Sequence, residues 1–375
     1  MTSFAFDRLR RFPDVEAPNL FAVDATDRLL LDTAAQALAD AGPGELAIVG
    51  DHYGALTLGA AGRFGSAEIR TQQDLLTGEQ ALAANAERLE LAGCYRSYPL
   101  AAGLFSDVGV VLIQAPKNLD ALRETVELIS HEAPAGVEVY VGGRVKHLTP
   151  AINAVLAEAF DEVRASLARQ KSRVISASAK RADLERLSFP RKVWHADLGL
   201  WICAHGAAFA GAKIDLGTRR LLALLDRMRP DAAEAIDLGC GTGVLAAALA
   251  MARPELRVLA SDSSAAAVAS AQATMAANEL TGRVSVQRDD ALATVAEASA
   301  ELIVCNPPFH LDNAIHEGAA SRLFQAAGRV LAPGGELWTV CNAHLDYRAE
   351  LRTLVGRTEV AHRDPKFTVT VSRKA

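Results

Sequence analysis

The chain has 375 residues, half of them hydrophobic and few aromatic, with 39 basic against 45 acidic side chains and a net charge of -6. That length predicts two domains, and the negative balance excludes a uniformly basic nucleic-acid binder, leaving only a local patch to meet phosphate. No apolar run reaches a membrane span, the start (Phe4, Phe6, Asp7, Arg8, Arg10, Arg11) lacks a signal-peptide core, and five scattered cysteines (Cys94, Cys203, Cys240, Cys305, Cys341) have neither disulfide nor zinc spacing, so a cytoplasmic protein without metal is expected.

Residues 27 to 40 have helical spacing, with Asp24 or Thr26 available as the cap. Glu45-Leu46-Ala47-Ile48-Val49-Gly50 reads as a strand and Asp51-His52-Tyr53-Gly54-Ala55-Leu56 as its turn into a helix. Another buried strand follows over 109–117, a late one over 137–143, and an amphipathic helix from 151 to about 167. Lys117 and Arg144-Val145-Lys146-His147 follow strand ends, where solvated loop charge and phosphate contact compete as readings.

Between 164 and 192 the bases Arg164, Arg169, Lys171, Arg173, Lys180, Arg181, Arg186, Arg191 and Lys192 stand against only Asp183 and Glu185. In an acidic chain this reads as a basic junction whose local field would attract phosphate, with Arg169, Lys171 and Arg173 as candidate contacts. A merely soluble linker is the competing reading.

The strand-like stretch 194–203 opens the second domain, a loop 209–217 follows, and Asp215 and Thr218 stand near the start of a helix running to about Met228. Next comes Glu234-Ala235-Ile236-Asp237-Leu238-Gly239-Cys240-Gly241-Thr242-Gly243-Val244-Leu245, a short apolar strand that breaks into glycines and then an Ala- and Leu-rich helix. Asp237 sits inside the strand. Dehydrogenases prefer G-x-G-x-x-G, whereas here the spacing is G-x-G-x-G, which favours methyltransferases that use S-adenosylmethionine.

The strand 257–262 ends in Asp262, close to twenty residues beyond the glycines, where a carboxylate accepts from both hydroxyls of a ribose; capping the next helix is a competing role. After the strand 284–288, Asp290 is placed to accept from an adenine amine, with Asp289 as the fallback. Then Leu302-Ile303-Val304-Cys305 delivers Asn306-Pro307-Pro308-Phe309. The prolines hold Asn306 extended, so its amide oxygen and the Pro307 carbonyl can accept both hydrogens of an exocyclic amine, with Phe309 as a flat face for the ring. A helix 318–331, a Pro333-Gly334-Gly335 turn, and strands 336–342 and 367–371 complete the order.

The glycine loop together with Asn306-Pro307-Pro308-Phe309-His310, and the upstream run Phe209-Ala210-Gly211-Ala212-Lys213-Ile214-Asp215-Leu216-Gly217, resembles class I S-adenosylmethionine-dependent methyltransferases of the ribosomal RNA guanine-N2 type, the family that holds methyltransferase C of the small ribosomal subunit and methyltransferase G of the large one. The resemblance covers about 190–375 well and is weaker before that, where it lies nearer the methyltransferase G type. It implies S-adenosylmethionine held by Asp237, Gly239, Gly241, Gly243, Asp262, Asp290 and Asn306, and catalysis at Asn306, Pro307, Pro308 and Phe309. It also implies that the loop closes over the cofactor, with Phe209, Lys213 and Asp215 lining the approach of RNA or a ribosomal subunit. A core position competes for Phe209. DNA adenine and protein glutamine methyltransferases share the asparagine turn, commonly with tyrosine in place of Phe309; a non-catalytic assembly factor is the alternative outside enzymes.

Setting the halves side by side, Gly50 matches Gly239, Gly54 matches Gly243, His52 replaces Gly241, and Gln114-Ala115-Pro116-Lys117 stands where Asn306 begins its turn. This predicts two tandem doubly wound Rossmann-like methyltransferase domains. The first, 1–185, is degenerate and positions RNA; the second, 186–375, is catalytic.

Overall fold

The computed structural model describes residues 4–182, 187–307 and 315–375. Within it the chain divides into two compact units, Met1–Phe189 and Pro190–Ala375. The first contains β1 (Leu46–Val49), β2 (Ile69–Gln72), β3 (Tyr95–Ser97), β4 (Val110–Gln114), β5 (Glu138–Arg144), β6 (Phe160–Ala165) and β7 (Ser172–Lys180). In the second a hairpin of β8 (Arg191–His195) and β9 (Leu200–Ala204) precedes β10 (Glu234–Leu238), β11 (Arg257–Asp262), β12 (Val284–Arg288), β13 (Ala300–Cys305), β14 (Leu331–Asn342), β15 (Gly356–Arg363) and β16 (Phe367–Lys374).

The sheet orders are β3-β2-β1-β4-β5-β7-β6 and β12-β11-β10-β13-β14-β16-β15. Numbered from one within each sheet, both read 3-2-1-4-5-7-6. Five parallel strands end in an antiparallel pair at the same edge of each. The first unit is therefore a second copy of the doubly wound plan.

Residues alternate between faces along a strand, so a strand covered on both sides needs apolar side chains throughout. In β1, Leu46 and Ile48 join one core and Ala47 and Val49 the other. β10 and β13 repeat this with Ile236, Leu238, Ile303 and Cys305 against Ala235, Leu302 and Val304. The helix Val244–Ala252 follows the glycine loop and packs on the second of these faces.

Several expected elements differ. The helix expected over 151–167 is Pro150–Ala159, and the chain then enters β6, because buried Phe160 and the antiparallel pairing with β7 override helical spacing. The basic junction is consequently no linker over most of its length: Arg164, Arg173 and Lys180 lie within β6 and β7, and Gln170 and Lys171, at φ 48 and 62, turn between them. The expected single strand 194–203 is the β8–β9 hairpin, turning at Gly199 with φ 61. The helix after Asp215 ends at Leu222 and is followed by a short 3-10 turn, Leu225–Arg227. The helix Arg348–Leu354 and strand β15, both polar on their outer faces, carry no strong apolar pattern and had no counterpart in the expected elements.

Candidate active site

Strands β10 and β13 are neighbours where the strand order reverses, and Leu238 pairs with Cys305 at their carboxyl ends. Gly239 and Asn306 are the next residues of each, so the two motifs meet at one crevice.

Gly239, Gly241 and Gly243 have φ of 74, 53 and 77, a region that side chains with a Cβ rarely adopt. An added Cβ at Gly239 or Gly241 would meet nothing within 4 Å, so both present bare backbone to open space. At Gly243 it would meet Met275 Cε at 2.8 Å and Ala271 Cβ at 3.1 Å. That glycine serves the turn and the packing of the neighbouring helix Ala265–Ala277.

Asp237 is 1% exposed, and its Oδ2 accepts from the amide of Ala246 at 3.0 Å, fixing the start of the following helix. Its Oδ1 is buried and has no hydrogen-bond partner among the described residues. Burial, and then the charge of Asp262, push this carboxyl up to about 7 against the relief given by Ala246. Asp262 accepts from the Gly241 amide at 3.0 Å and from the Ser264 amide at 2.9 Å. The competing capping role falls to Ser264, whose hydroxyl accepts from Ala267. Asp262 instead holds the glycine loop at the crevice.

Asp289 accepts from the amides of Ala293 and Thr294, the Thr294 hydroxyl and the Gln287 side chain, so this fallback is a buried turn residue. Asp290 is partly exposed and ion-paired with Arg322. Cys240 and Cys305 are buried, and burial followed by the nearby Asp237 and Asp262 charges pushes both thiols well up, away from nucleophilic chemistry.

The Asn306 carboxamide donates from Nδ2 to Asp215 Oδ2 at 3.1 Å and to the Thr218 hydroxyl at 2.9 Å. Pro307 is buried, whereas Pro308 and Phe309 lie outside the described residues. Phe209 is 54% exposed, hence no core aromatic, and Lys213 is exposed nearby in sequence on the same loop. Arg169 and Lys171 are exposed at the β6–β7 tip, while Arg173 is half-buried with an Nε that has no hydrogen-bond partner among the described residues.

A family model described as the RLMG N-terminal domain matches residues 1–181, and one described as the methyltransferase small domain matches 199–371. The ribosomal RNA large subunit methyltransferase G of Shewanella amazonensis is 34% identical, covering 96% of this chain and 94% of its own. Its Streptomyces coelicolor namesake is also 34% identical, with 96% of each chain covered. The chain belongs to the ribosomal RNA large subunit methyltransferase G family. Its fold matches a solved T. thermophilus 16S rRNA N2 guanine methyltransferase (RsmC, in complex with AdoMet and guanosine), with TM-score 0.75, 22% identity, and 94% and 92% of the two chains covered.

In this methyltransferase G family member the amino-terminal copy keeps the turn and fills it. Gly50 and Gly54 retain φ of 78 and 93. The Asp51 carboxylate, absent from the catalytic copy, folds over the helix start and accepts from the amides of Gly54, Leu56 and Thr57. Gln73 holds the place of Asp262 by strand register and donates to the Asp51 carbonyl. An added Cβ at Gly50 would meet the Gln114 carbonyl at 3.3 Å, where Gly239 faces open space. His52 itself is exposed, so Asp51 rather than the expected imidazole takes up the loop's donors.

Two residues of this family member escaped the sequence as partners of the asparagine. Asp215 and Thr218 were legible as a helix start, but their contact with Asn306 spans about ninety residues of chain. No local spacing carries such a contact.

Proposed function

We propose that the chain binds S-adenosylmethionine over residues 239–243 and transfers its methyl group to the exocyclic N2 amine of a guanine in ribosomal RNA. The large subunit is the expected carrier, since the relatives are named for it, and the cytoplasm is the expected compartment. Among the described residues no helix is long and apolar enough to cross a membrane, and no group of three or more His, Cys, Asp or Glu could hold a metal ion.

The residues present fit the cofactor. Bare backbone at Gly239 and Gly241 admits close approach, and the unpartnered buried Oδ1 of Asp237 suits a cationic ammonium group. Asp262, already beside Gly241, is placed to accept from ribose hydroxyls, and Asp290 remains the candidate for the adenine amine. When bound, the cofactor supplies a methyl carbon made electrophilic by its sulfonium.

The single observation that carries the reading is Asn306. Its amide nitrogen has both hydrogens engaged by Asp215 and Thr218, which leaves Oδ1 to accept, on a half-buried residue that directly follows β13 where that strand pairs with the one leading into the glycine loop. With the Pro307 carbonyl it can take both hydrogens of a guanine amine, turn the lone pair toward the methyl donor, and stabilise the cationic product until a proton leaves. Alignment of this kind contributes roughly 7 to 11 kcal/mol in favourable model reactions. A base inside a duplex hides its amine, so the nucleotide must be splayed into the crevice from a loop or flipped.

The test is incubation with tritiated S-adenosylmethionine and, separately, unmethylated 50S subunits, 30S subunits, naked ribosomal RNA, DNA and protein, followed by nucleoside mass spectrometry. N2-methylguanosine from large-subunit RNA is the expected product. Label confined to DNA adenine or to protein would overturn the substrate, and no label on any acceptor would favour a non-catalytic assembly role.

A further inference from the structure

We propose that Asp215 and Thr218 are positioning residues that lock the Asn306 carboxamide with its oxygen toward the substrate amine, an inference that rests on the reading of Asn306 given above. A carboxamide has nearly the same shape either way round, yet a flip replaces an acceptor with a donor. Pointed at an amine, the flipped group would repel the hydrogens it is meant to receive.

The Asp215 carboxylate permits one orientation, while the Thr218 hydroxyl, which can accept or donate, pins the group in place without choosing its sense. Asp215 Oδ2, a pure acceptor when ionised, lies 3.1 Å from Nδ2, and the Thr218 hydroxyl lies 2.9 Å from it. Turned round, Oδ1 would face the carboxylate with no hydrogen between them. Asp215 is itself held, by the amides of Gly217 at 2.8 Å and Thr218 at 3.2 Å. Donation toward a carboxylate also polarises the amide and makes Oδ1 a better acceptor. Gly217 completes the arrangement: a Cβ there would lie 2.9 Å from Asp215 Oδ2 and 3.3 Å from Asn306 Oδ1, wedging the two apart.

The other copy supplies a comparison within the same chain. By register Gln114 corresponds to Asn306, and its Nε2 donates to Asp27, the third residue of its helix as Thr218 is of its own. There the contact only ties a strand end to a helix, so the experiment must separate a tie from an orienting device. Thr218→Val keeps the shape and removes the acceptor, Thr218→Ser restores it, and Asp215→Asn keeps an oxygen for the helix start but removes the charge.

If the residues orient the amide, Thr218→Val and Asp215→Asn each lower kcat about tenfold or more. Cofactor Kd stays within about twofold, and Thr218→Ser restores kcat to within about threefold of wild type. On an Asn306→Ala background Thr218→Val adds less than about twofold, because the group it orients is gone. Loss of kcat in parallel with cofactor binding and thermal stability, or full additivity with Asn306→Ala, would overturn the proposal in favour of a structural tie. Selective 15N-asparagine labelling gives a reading that needs no substrate. The Asn306 side-chain hydrogens should exchange slowly in the wild type and faster in Thr218→Val, and equal exchange would also sink the idea. A wild-type chain that labels no RNA would instead overturn the functional reading and leave the amide measurement intact.

Discussion

A carboxylate buried with one oxygen unpartnered is stable only when protonated or when a cation arrives. Asp237 is in this state, pushed up to about 7; Asp27, whose two oxygens accept from the Asp24 amide and the Gln114 side chain, is also pushed up to about 7, chiefly by burial and then by Asp24. For such acids the stabilising contribution is complete below the ordinary carboxylate range and is lost as pH rises through about 7. The ligand-free chain should therefore lose thermal stability between about pH 4 and pH 7, and Asp27→Asn and Asp237→Asn should each flatten part of that slope. Thermal unfolding across pH checks this. An ammonium group beside Asp237 reverses the balance, so cofactor binding near neutral pH should release a proton in the wild type and not in Asp237→Asn, as calorimetry in buffers of different ionisation enthalpy would show. Asn306→Ala should reduce turnover about 10²- to 10³-fold with cofactor affinity near wild type. At this scale the glycines, Asp262 and Asn306 were legible because a strand ending in loop chemistry announces a ligand. The hidden work of Asp237, and of Asp51 in the other copy, was not, because both depend on which amide a carboxylate meets after folding.

The β6–β7 hairpin changes the meaning of the basic stretch. Arg169 and Lys171 project from a tight turn at the end of two paired strands, a rigid mount rather than a tether. Arg169 also lies 3.8 Å from Asp32, a loose surface pair that gives way readily to phosphate. Replacing both by alanine should weaken RNA binding and lower the slope of log affinity against log salt by about one for each phosphate no longer neutralised. An unchanged slope in filter binding over a salt series would remove the hairpin from the RNA surface. The strand pairs β1–β4 and β10–β13 were readable from their continuous apolar runs. β6 was not, since its outward residues, Asp161, Glu162 and Arg164, give it the polarity of a helix face, and only pairing with β7 decides the matter.

Across the whole molecule the same strand order occurs in both units, yet only one retains an open glycine crevice. Calorimetric titration of the full chain should give one S-adenosylmethionine per polypeptide, and Gly241→Ala, at a φ of 53 in the open loop, should abolish it. Two sites per chain would show that Asp51 yields to ligand. The duplication was legible from matched landmarks at matched separations. The way the first copy closed was not, because the expected obstacle, His52, is exposed and its neighbour does the closing.

Gly50 and Gly54 keep their left-handed backbone although the Asp51 side chain occupies the amides at the head of the following helix. A loop geometry can thus persist where a side chain of the loop itself takes up the amides at the head of the helix. Glycine spacing alone does not tell such a filled loop from an open one. An acidic residue directly after the first glycine, three positions before the last, is the warning sign to look for when sorting live crevices from retired ones in other duplicated chains.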